Sequence, residues 1–332
     1  MKQLIYLVYY LKNLNTKLYA DFLDFAKHKT NKSKFLLMLD SVASTLRYKI
    51  SLLEYFQFKF YEQTSIERNN WAGTGFMYEY QLKMNPKNSR NLLEDKIKFL
   101  LYFRNFVKRS FIVVNPKEDK HKELTQLLNN TSGKLVLKNA MGQVGAEVEV
   151  VQCKNFKPES LIRFMIENKY NLAEEFVIQH PAIMELSPSG LNTVRIFTQL
   201  YEGKVDFLGA RLRISVNSPV DNMAAGNLAT PVNLESGIVE GPGVYSDITK
   251  NDEIYHPVTG KKIIGFQIPF WKETLVMATN AALNADGNLS VGWDIAITEN
   301  GPELIEGNHN WCKLLWQLPV KKGLKPMIEK YL

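Results

Sequence analysis

The first 70 residues show apolar positions at helical spacing. Apolar side chains recur every three or four residues, as in SLLEYFQFKFYEQ, and this segment contains neither proline nor glycine. The pattern predicts a helical region. The next segment, residues 71–90, contains Gly73, Gly75 and Pro86 and predicts a connector, after which an amphipathic helix is expected to begin at Glu94.

The middle of the chain changes to short β-branched runs separated by helical stretches. Strands are predicted at residues 111–114, 134–138 and 174–179, and helices near residues 118–129 and 158–168. This order of elements indicates an α+β architecture.

The last third of the chain is rich in predicted hairpins. In order, the pattern predicts a long hairpin (192–213, turning at Glu202 and Gly203), a loop rich in glycine and asparagine (218–227), a strand pair turning near Ser236 and Gly237, a helix (272–284) and a final hairpin (293–311).

The final hairpin, WDIAITENGPELIEGNHNW, carries Asp294 and Glu306 among apolar residues. A three-residue turn over residues 299–301, with the glycine in the left-handed region, would pair Thr298 with Pro302. Asp294 and Glu306 would then be cross-strand partners on the same face of the hairpin.

Asn308 lies two residues beyond Glu306 and is expected on the same face as Asp294 and Glu306. Two facing carboxylates repel unless a proton or a cation lies between them. Carboxylate and amide oxygens favour Mg²⁺, whereas zinc would require histidine or cysteine. The alternative is a hairpin whose polar residues simply face water.

Composition and charge narrow the class of protein. The 332 residues are 45% hydrophobic and 23% charged, which is typical of a globular protein. Only two cysteines are present, which favours a reducing compartment such as the cytoplasm.

The net charge of +7 favours anionic partners such as a nucleotide, a uronic acid or a phospholipid surface. Nucleic acid is excluded as a partner, because no basic block is interleaved with aromatic residues. No apolar run reaches the roughly 18 residues of a membrane span, although the N-terminal segment could form an interfacial helix.

Two segments are candidates for nucleotide binding. Lys138 ends a predicted strand and precedes a loop with Gly142 and Gly145, which could direct backbone N–H groups at phosphates; a tight turn of a hairpin is the alternative. The strand end at Gln179 could meet an adenine edge, or could be an edge strand stopped by Pro181.

Three arginines of the long hairpin are candidates for binding anions. Arg211 and Arg213 share a strand face, and Arg195 lies in the partner strand. Guanidinium groups clustered in this way would repel one another without a carboxylate or a phosphate between them.

The order of these motifs resembles the ATP-grasp superfamily. The segments NTVRI, SPVDNMAAGN, HPVTGKKIIGFQIPFW and GWDIAITENGPELIEGNHNW are similar, more narrowly, to its sugar-transfer-associated group, which is linked to polysaccharide biosynthesis. The resemblance covers about residues 90–320. It implies an α+β fold of the ATP-grasp type, with two α+β subdomains around ATP and a preceding N-terminal helical region. The expected division is a helical region with connector (1–90), a lid subdomain (91–182) and a catalytic subdomain (183–332).

The resemblance also implies roles for individual residues. The residues implied in ATP binding are Lys96, Lys138, Gly142, Gln143, Gly145, Glu175 and Gln179; those in binding two Mg²⁺ ions are Asp294, Glu306 and Asn308; and those facing the γ-phosphate and acyl substrate are Arg195, Arg211, Arg213 and Asn222. His309 and Trp311 depart from the family, in which small residues or proline commonly follow the metal motif.

The implied activity is that of an ATP- and Mg²⁺-dependent carboxylate–amine ligase, which forms an acyl phosphate and releases ADP. The expected partners are an anionic sugar, such as a nucleotide- or lipid-linked uronic acid, and an amino compound such as an amino acid. Two alternatives remain open: a phosphotransferase acting on a sugar hydroxyl, and a non-catalytic nucleotide-binding component of a polysaccharide assembly complex. A cytoplasmic location is expected, with a peripheral contact at the inner face of the membrane through the N-terminal helices.

Overall fold

The computed structural model describes residues 2–115, 118, 120–142 and 148–332. Within these residues there are fourteen α-helices: α1 (Lys2–Lys12), α2 (Thr16–Thr30), α3 (Lys34–Tyr48), α4 (Leu52–Gln57), α5 (Ser65–Asn69), α6 (Thr74–Met84), α7 (Lys87–Glu94), α8 (Lys96–Tyr102), α9 (His121–Leu128), α10 (Pro158–Glu167), α11 (Pro181–Leu186), α12 (Trp271–Leu283), α13 (Lys313–Gln317) and α14 (Lys325–Glu329). The nine strands are β1 (Phe111–Val113), β2 (Lys134–Lys138), β3 (Val148–Gln152), β4 (Leu172–Glu175), β5 (Thr193–Tyr201), β6 (Lys204–Ile214), β7 (Leu228–Val232), β8 (Ser290–Thr298) and β9 (Gly301–Asn308).

The helical prediction for the N-terminal region is confirmed. Side chains cap the helices: Ser33 accepts a hydrogen bond at the start of α3, and Ser51 with Glu54 forms a capping box at the start of α4. The connector predicted for residues 71–90 is wrong, because α6 and the first half of α7 lie there. A Cβ at Gly75 would lie 3.0 Å from the Cβ of Lys49, so this glycine permits close packing of α6 rather than a loop.

A four-stranded antiparallel sheet has the strand order β1-β4-β2-β3. Its core is formed with α9 and α10, through residues such as Leu124 and Met165. The strands predicted at 111–114 and 134–138 are confirmed within one residue. The strand predicted at 174–179 begins and ends earlier, at Leu172 and Glu175, since the chain leaves the sheet at Phe176.

A five-stranded antiparallel sheet has the strand order β7-β6-β5-β8-β9. It contains both predicted hairpins, 192–213 and 293–311, and α12 confirms the helix predicted at 272–284. The predicted strand pair near Ser236 is reduced to one strand, β7, which pairs with β6 and meets the returning chain only at isolated bridges such as Val232 with Val239.

The N-terminal helices and the C-terminal segment share one hydrophobic core on the five-stranded sheet. Phe22, Phe56 and Tyr80 pack in this core with Trp316 and Tyr331. Two buried polar contacts join the same parts of the chain: the Gln317 side chain pairs with the backbone N–H and C=O of Ala72 at 2.9 and 3.0 Å, and Lys313 lies 2.9 Å from Glu54. The N-terminal helices are therefore built into the structure of the sheet.

None of the helices in the described part of the chain is long and apolar enough to cross a membrane.

Candidate active site

A cleft of about 1070 Å³ lies between the two sheets. One wall comes from β2, β3 and the chain that follows β4, and the other comes from β5, β6, β8 and β9. The helical region contributes Leu18 and Gln57. The volume suffices for a small-molecule ligand of nucleotide size.

The final hairpin places Asp294 and Glu306 opposite each other, as the sequence predicts. The predicted turn is wrong, however, because it has two residues, and Thr298 pairs with Gly301 rather than with Pro302. A β-bulge beside Asp294 adds one residue to β9 and restores the pairing. The left-handed backbone expected at Gly301 is confirmed, with a φ of 96°.

Asp294 is buried and is held by two arginines. Nη2 of Arg195 and Nη1 of Arg213 each lie 2.7 Å from Oδ2 of Asp294. Burial would raise the pKa of Asp294, but the two guanidinium groups outweigh burial and hold this pKa well below its ordinary value. Two of the three arginines in the expected cluster thus gather around a carboxylate of the protein.

Glu306 and Asn308 complete the predicted oxygen-rich patch. Glu306 lies opposite Asp294 across the two strands, and Nδ2 of Asn308 donates to Oε1 of Glu306 at 3.2 Å. Burial and the neighbouring Asp294 raise the pKa of Glu306. A divalent cation that takes oxygen ligands would offset the repulsion between the two carboxylates, so this donor set fits magnesium.

Asp221 is a site residue that the sequence analysis missed. It pairs with Arg213 and accepts hydrogen bonds from the N–H and hydroxyl of Thr193 at 2.9 and 2.6 Å. Asn222 lines the cleft next to it and caps the short helical turn that follows, accepting a bond from Ala224 N–H at 3.1 Å. The acidic residue beside Asn222 in the predicted loop was the available signal.

Four charged residues form a second buried cluster where the two sheets meet. Arg109 binds Glu174 of β4 and lies 2.8 Å from Oε1 of Glu303 of β9, so it links the sheets; Lys138 lies 2.9 Å from Glu174. Burial would raise the pKa of Glu174, but Lys138 and Arg109 lower it to about 2. Among these residues only Lys138 was predicted, because the partners come from distant strands.

Lys96 lies at the base of the predicted glycine loop. Its ammonium group donates a hydrogen bond to the carbonyl oxygen of Gly142. Its backbone N–H donates to the carbonyl oxygen of Ala140 at 3.2 Å. Lys96, Lys138 and Gly142 all line the cleft. Two further predicted residues, Gln143 and Gly145, lie outside the described residues.

The segment after β4 lines the cleft between the sheets, from Glu175 to Gln179. The side chain of Gln179 is turned into the protein, where it donates to Gly190 O at 2.8 Å and accepts from Asn192 N–H at 2.7 Å. Glu175 accepts a bond of 3.3 Å from the N–H of Ser110. The side chain of Gln179 is therefore engaged within the protein.

Arg211 lies away from the cleft, although it is the cross-strand partner of Arg195. Its guanidinium group donates to the carbonyl oxygens of Trp316 and Ala210. Burial lowers the pKa of Arg211 to about 9. The structure thus brings together Arg195 and Arg213 with the carboxylates and separates Arg211 from them.

Solved structures that are similar to this chain, at low sequence identity, include three ligases. They are the ATP-grasp ligase PsnB in complex with a phosphomimetic variant of minimal precursor, Mg and ADP (13% identity, 74% of this chain and 60% of that chain, TM-score 0.41), D-alanyl-alanine synthetase A from Vibrio cholerae O1 biovar eltor (10%, 73% and 61%, 0.40) and an L-amino acid ligase from Bacillus licheniformis (13%, 71% and 49%, 0.40). The chain spans between 49% and 61% of the length of these proteins. No curated protein matched the sequence.

A family profile described as sugar-transfer associated ATP-grasp matches residues 76–331, which is more than half of the chain. The two antiparallel sheets around one cleft agree with this match. The chain therefore belongs to the sugar-transfer-associated ATP-grasp family and has its α+β ATP-grasp fold, preceded by an N-terminal helical region.

Proposed function

We propose that this protein is an ATP- and Mg²⁺-dependent ligase that joins a carboxylate to an amine and releases ADP. The observation that carries the proposal is the convergence of Asp294, Glu306 and Asn308 with Arg195 and Arg213 at one cleft. Family membership supports ATP as the nucleotide.

Magnesium would be held by Asp294, Glu306 and Asn308, two ions being our expectation. The chemistry that it supplies when bound is neutralisation of phosphate charge. Arg195 and Arg213 would orient and stabilise the transferred phosphoryl group, and Asn222 would contact the acyl substrate at the same wall of the cleft.

The nucleotide would lie against the four-stranded sheet. Lys96 and Lys138 line that wall and would contact phosphate oxygens, with the glycine loop that begins after Lys138 closing over them. The backbone near Gln179 would meet the adenine edge. We also propose the three-part division 1–90, 91–182 and 183–332 as the working domain description.

The proposed reaction has two steps. An oxygen of the substrate carboxylate attacks the γ-phosphorus, the bond between that phosphorus and the β,γ-bridging oxygen breaks, and ADP leaves. The amine nitrogen then attacks the acyl carbon, loses a proton and displaces phosphate to give an amide. No side chain of the protein acts as a nucleophile in this scheme.

We propose an anionic sugar, such as a nucleotide- or lipid-linked uronic acid, as the carboxylate substrate and an amino acid as the amine. The family description supports a sugar-related role. We propose that this role lies in the synthesis of a capsule, an exopolysaccharide or an O-antigen. The net charge of +7 supports an anionic substrate. A cytoplasmic location is part of this proposal.

The test is product analysis with ATP, Mg²⁺, nucleotide-linked uronic acids and a panel of amino acids. We expect ADP, phosphate and an amide by mass spectrometry, and hydroxylamine should trap the acyl phosphate as a hydroxamate. AMP and pyrophosphate would contradict the mechanism. A phosphorylated sugar without amide would identify a phosphotransferase, and ATP binding without turnover would identify a binding component.

A further inference from the structure

Helix α3 buries polar side chains and exposes apolar ones. Beside Leu37, the side chains that it turns into the protein include Ser41, Ser44 and Thr45, which are buried and hydrogen-bonded. Four apolar residues of its first two turns are turned to the surface: Phe35 is 68% exposed, and Leu36, Met38 and Leu39 are also exposed. A helix of a water-surrounded protein normally shows the opposite arrangement.

The neighbouring helix α1 extends this apolar surface. It packs against α3 and leaves Val8, Tyr9 and Leu11 exposed, the first two at 60%. We call residues 8, 9, 11, 35, 36, 38 and 39 the N-terminal apolar face. Clustered exposed apolar residues of this kind mark an interaction surface, whereas single ones need no explanation.

Basic residues surround the N-terminal apolar face. Residues 1–49 contain nine lysines and arginines and three aspartates, so they carry most of the net charge of +7. Lys12 is exposed in the last turn of α1, and Lys34 is exposed beside Phe35. Two of the three aspartates already pair with cations, Asp24 with Lys34 and Asp40 with Arg68.

The charge of the region decides between two occupants. A second copy of the chain would cover the apolar residues but would bring two strongly basic regions together, which is unfavourable. An anionic bilayer surface offers acyl chains to the apolar residues and negative headgroups to the lysines, as interfacial helices require. We propose that α1 and α3 dock on the surface of a membrane that contains anionic lipid.

Docking would bring the cleft close to the lipid surface. Helix α2 packs against α3 and contributes Leu18 to the wall of the cleft. Because α2 has 15 residues, it spans roughly 22 Å, and this length limits the distance along α2 between the docked surface and the cleft. Under the proposed function, this position favours a lipid-linked sugar as substrate; membrane docking itself does not depend on the ligase activity.

The test is co-sedimentation of the full chain with phosphatidylcholine vesicles that contain roughly 30% phosphatidylglycerol, and with pure phosphatidylcholine vesicles. We expect binding to the first and little to the second. The double variant Phe35→Ser/Leu39→Ser should lower the partition coefficient by about tenfold or more, because two exposed apolar side chains are lost. The variant Lys12→Ser/Lys29→Ser, which removes exposed lysines from the last turns of α1 and α2, should weaken binding only to the anionic vesicles.

The matched control is Val276→Ser/Leu283→Ser, which removes two exposed apolar residues from the distant helix α12 and should bind vesicles normally. Unchanged melting of each variant checks that the fold persists. Failure of the wild type to bind anionic vesicles, or equal binding by Phe35→Ser/Leu39→Ser, would overturn the proposal. A dimer in light scattering that this variant abolishes would overturn it in favour of a second copy.

Discussion

The two buried charge clusters of the molecule differ in their balance. The hinge cluster, which links the sheets, pairs two cations with two carboxylates; the hairpin cluster, which faces the cleft, has two cations and three carboxylates. The hinge cluster is Arg109, Lys138, Glu174 and Glu303, and the hairpin cluster is Arg195, Arg213, Asp221, Asp294 and Glu306.

This difference separates a charge-balanced cluster from a cluster with one carboxylate in excess. In the hinge cluster Glu174 is a stable anion, with a pKa of about 2. In the hairpin cluster Glu306 is the carboxylate in excess, and its pKa is raised. A buried cluster that lacks one positive charge is suited to receive a cation, whereas a balanced cluster loses stability when any member is removed.

The largest expected effect comes from unbalancing the hinge cluster with Arg109→Met. The change leaves Glu303 and Oε2 of Glu174 buried without the guanidinium group that pairs with them. We therefore expect a loss of about 3–5 kcal/mol in the free energy of unfolding. Denaturant unfolding measures it. The exposed Arg163→Met on α10 is the control and should change stability little. A loss below about 1 kcal/mol for Arg109→Met would show that the cluster does not hold the sheets together.

Acid should remove the stabilisation that the ionised Glu174 provides in the hinge cluster. The ordinary pKa of a glutamate, 4.5, is lowered in Glu174, so its contribution is complete above about pH 4.5 and is lost as the pH falls through about 2. The stability of the wild type relative to Glu174→Gln should therefore shrink by about 3 kcal/mol over this range. Urea titrations at several pH values measure this difference in stability between the wild type and the variant. A difference that does not change with pH would contradict the lowered pKa of Glu174.

In the hairpin cluster, removal of a charged residue is expected to change stability in the opposite direction. Glu306→Gln removes the carboxylate in excess, so the stability without Mg²⁺ should stay constant or rise. Turnover should fall at least about 100-fold, or about 2.7 kcal/mol, and the rise in melting temperature caused by Mg²⁺ and ATP should shrink. Glu299→Gln, at the exposed turn of the same hairpin, is the control. Normal magnesium dependence in Glu306→Gln would show that Glu306 does not bind magnesium.

The smallest effect is expected at Arg211, which belongs to neither cluster. Arg211→Met leaves Trp316 O without its donors but also removes a buried charge, so we expect a loss of about 1–2 kcal/mol in stability. The KM for ATP should not change. Arg213→Met, two residues along the same strand, should instead lower turnover by more than about tenfold. Equal loss of turnover in both variants would place Arg211 in the active site after all.

The sequence allowed the hairpin site to be predicted because its residues are close along the chain. The pairing of Asp294 with Glu306 was right although the turn was not, since the bulge in β9 offset the two-residue turn. The shorter turn and the bulge each shift the register by one residue and cancel at Asp294, so the pairing beyond the bulge is the same as for a three-residue turn without a bulge.

Residues joined across the fold could not be predicted in the same way. Glu174 and Glu303 looked like ordinary strand residues, and only the approach of the two sheets makes them partners of Arg109. Gly75 looked like a loop residue because local pattern does not reveal that α6 packs tightly against Lys49. The exposed apolar residues of α3 were hidden for the same reason: periodicity identifies an apolar face but does not show which way it points.

The core shared by the first helices and residues 311–331 has a consequence for biosynthesis. About 230 residues must be translated after α6 before Trp311 and Trp316 leave the ribosome, which takes on the order of tens of seconds at roughly 5–20 residues per second. During this interval Phe22, Phe56 and Tyr80 have no C-terminal partners to cover them. The nascent chain is therefore a natural client for chaperones that bind apolar segments, and its first helices complete their folding only after residues 311–331 have emerged.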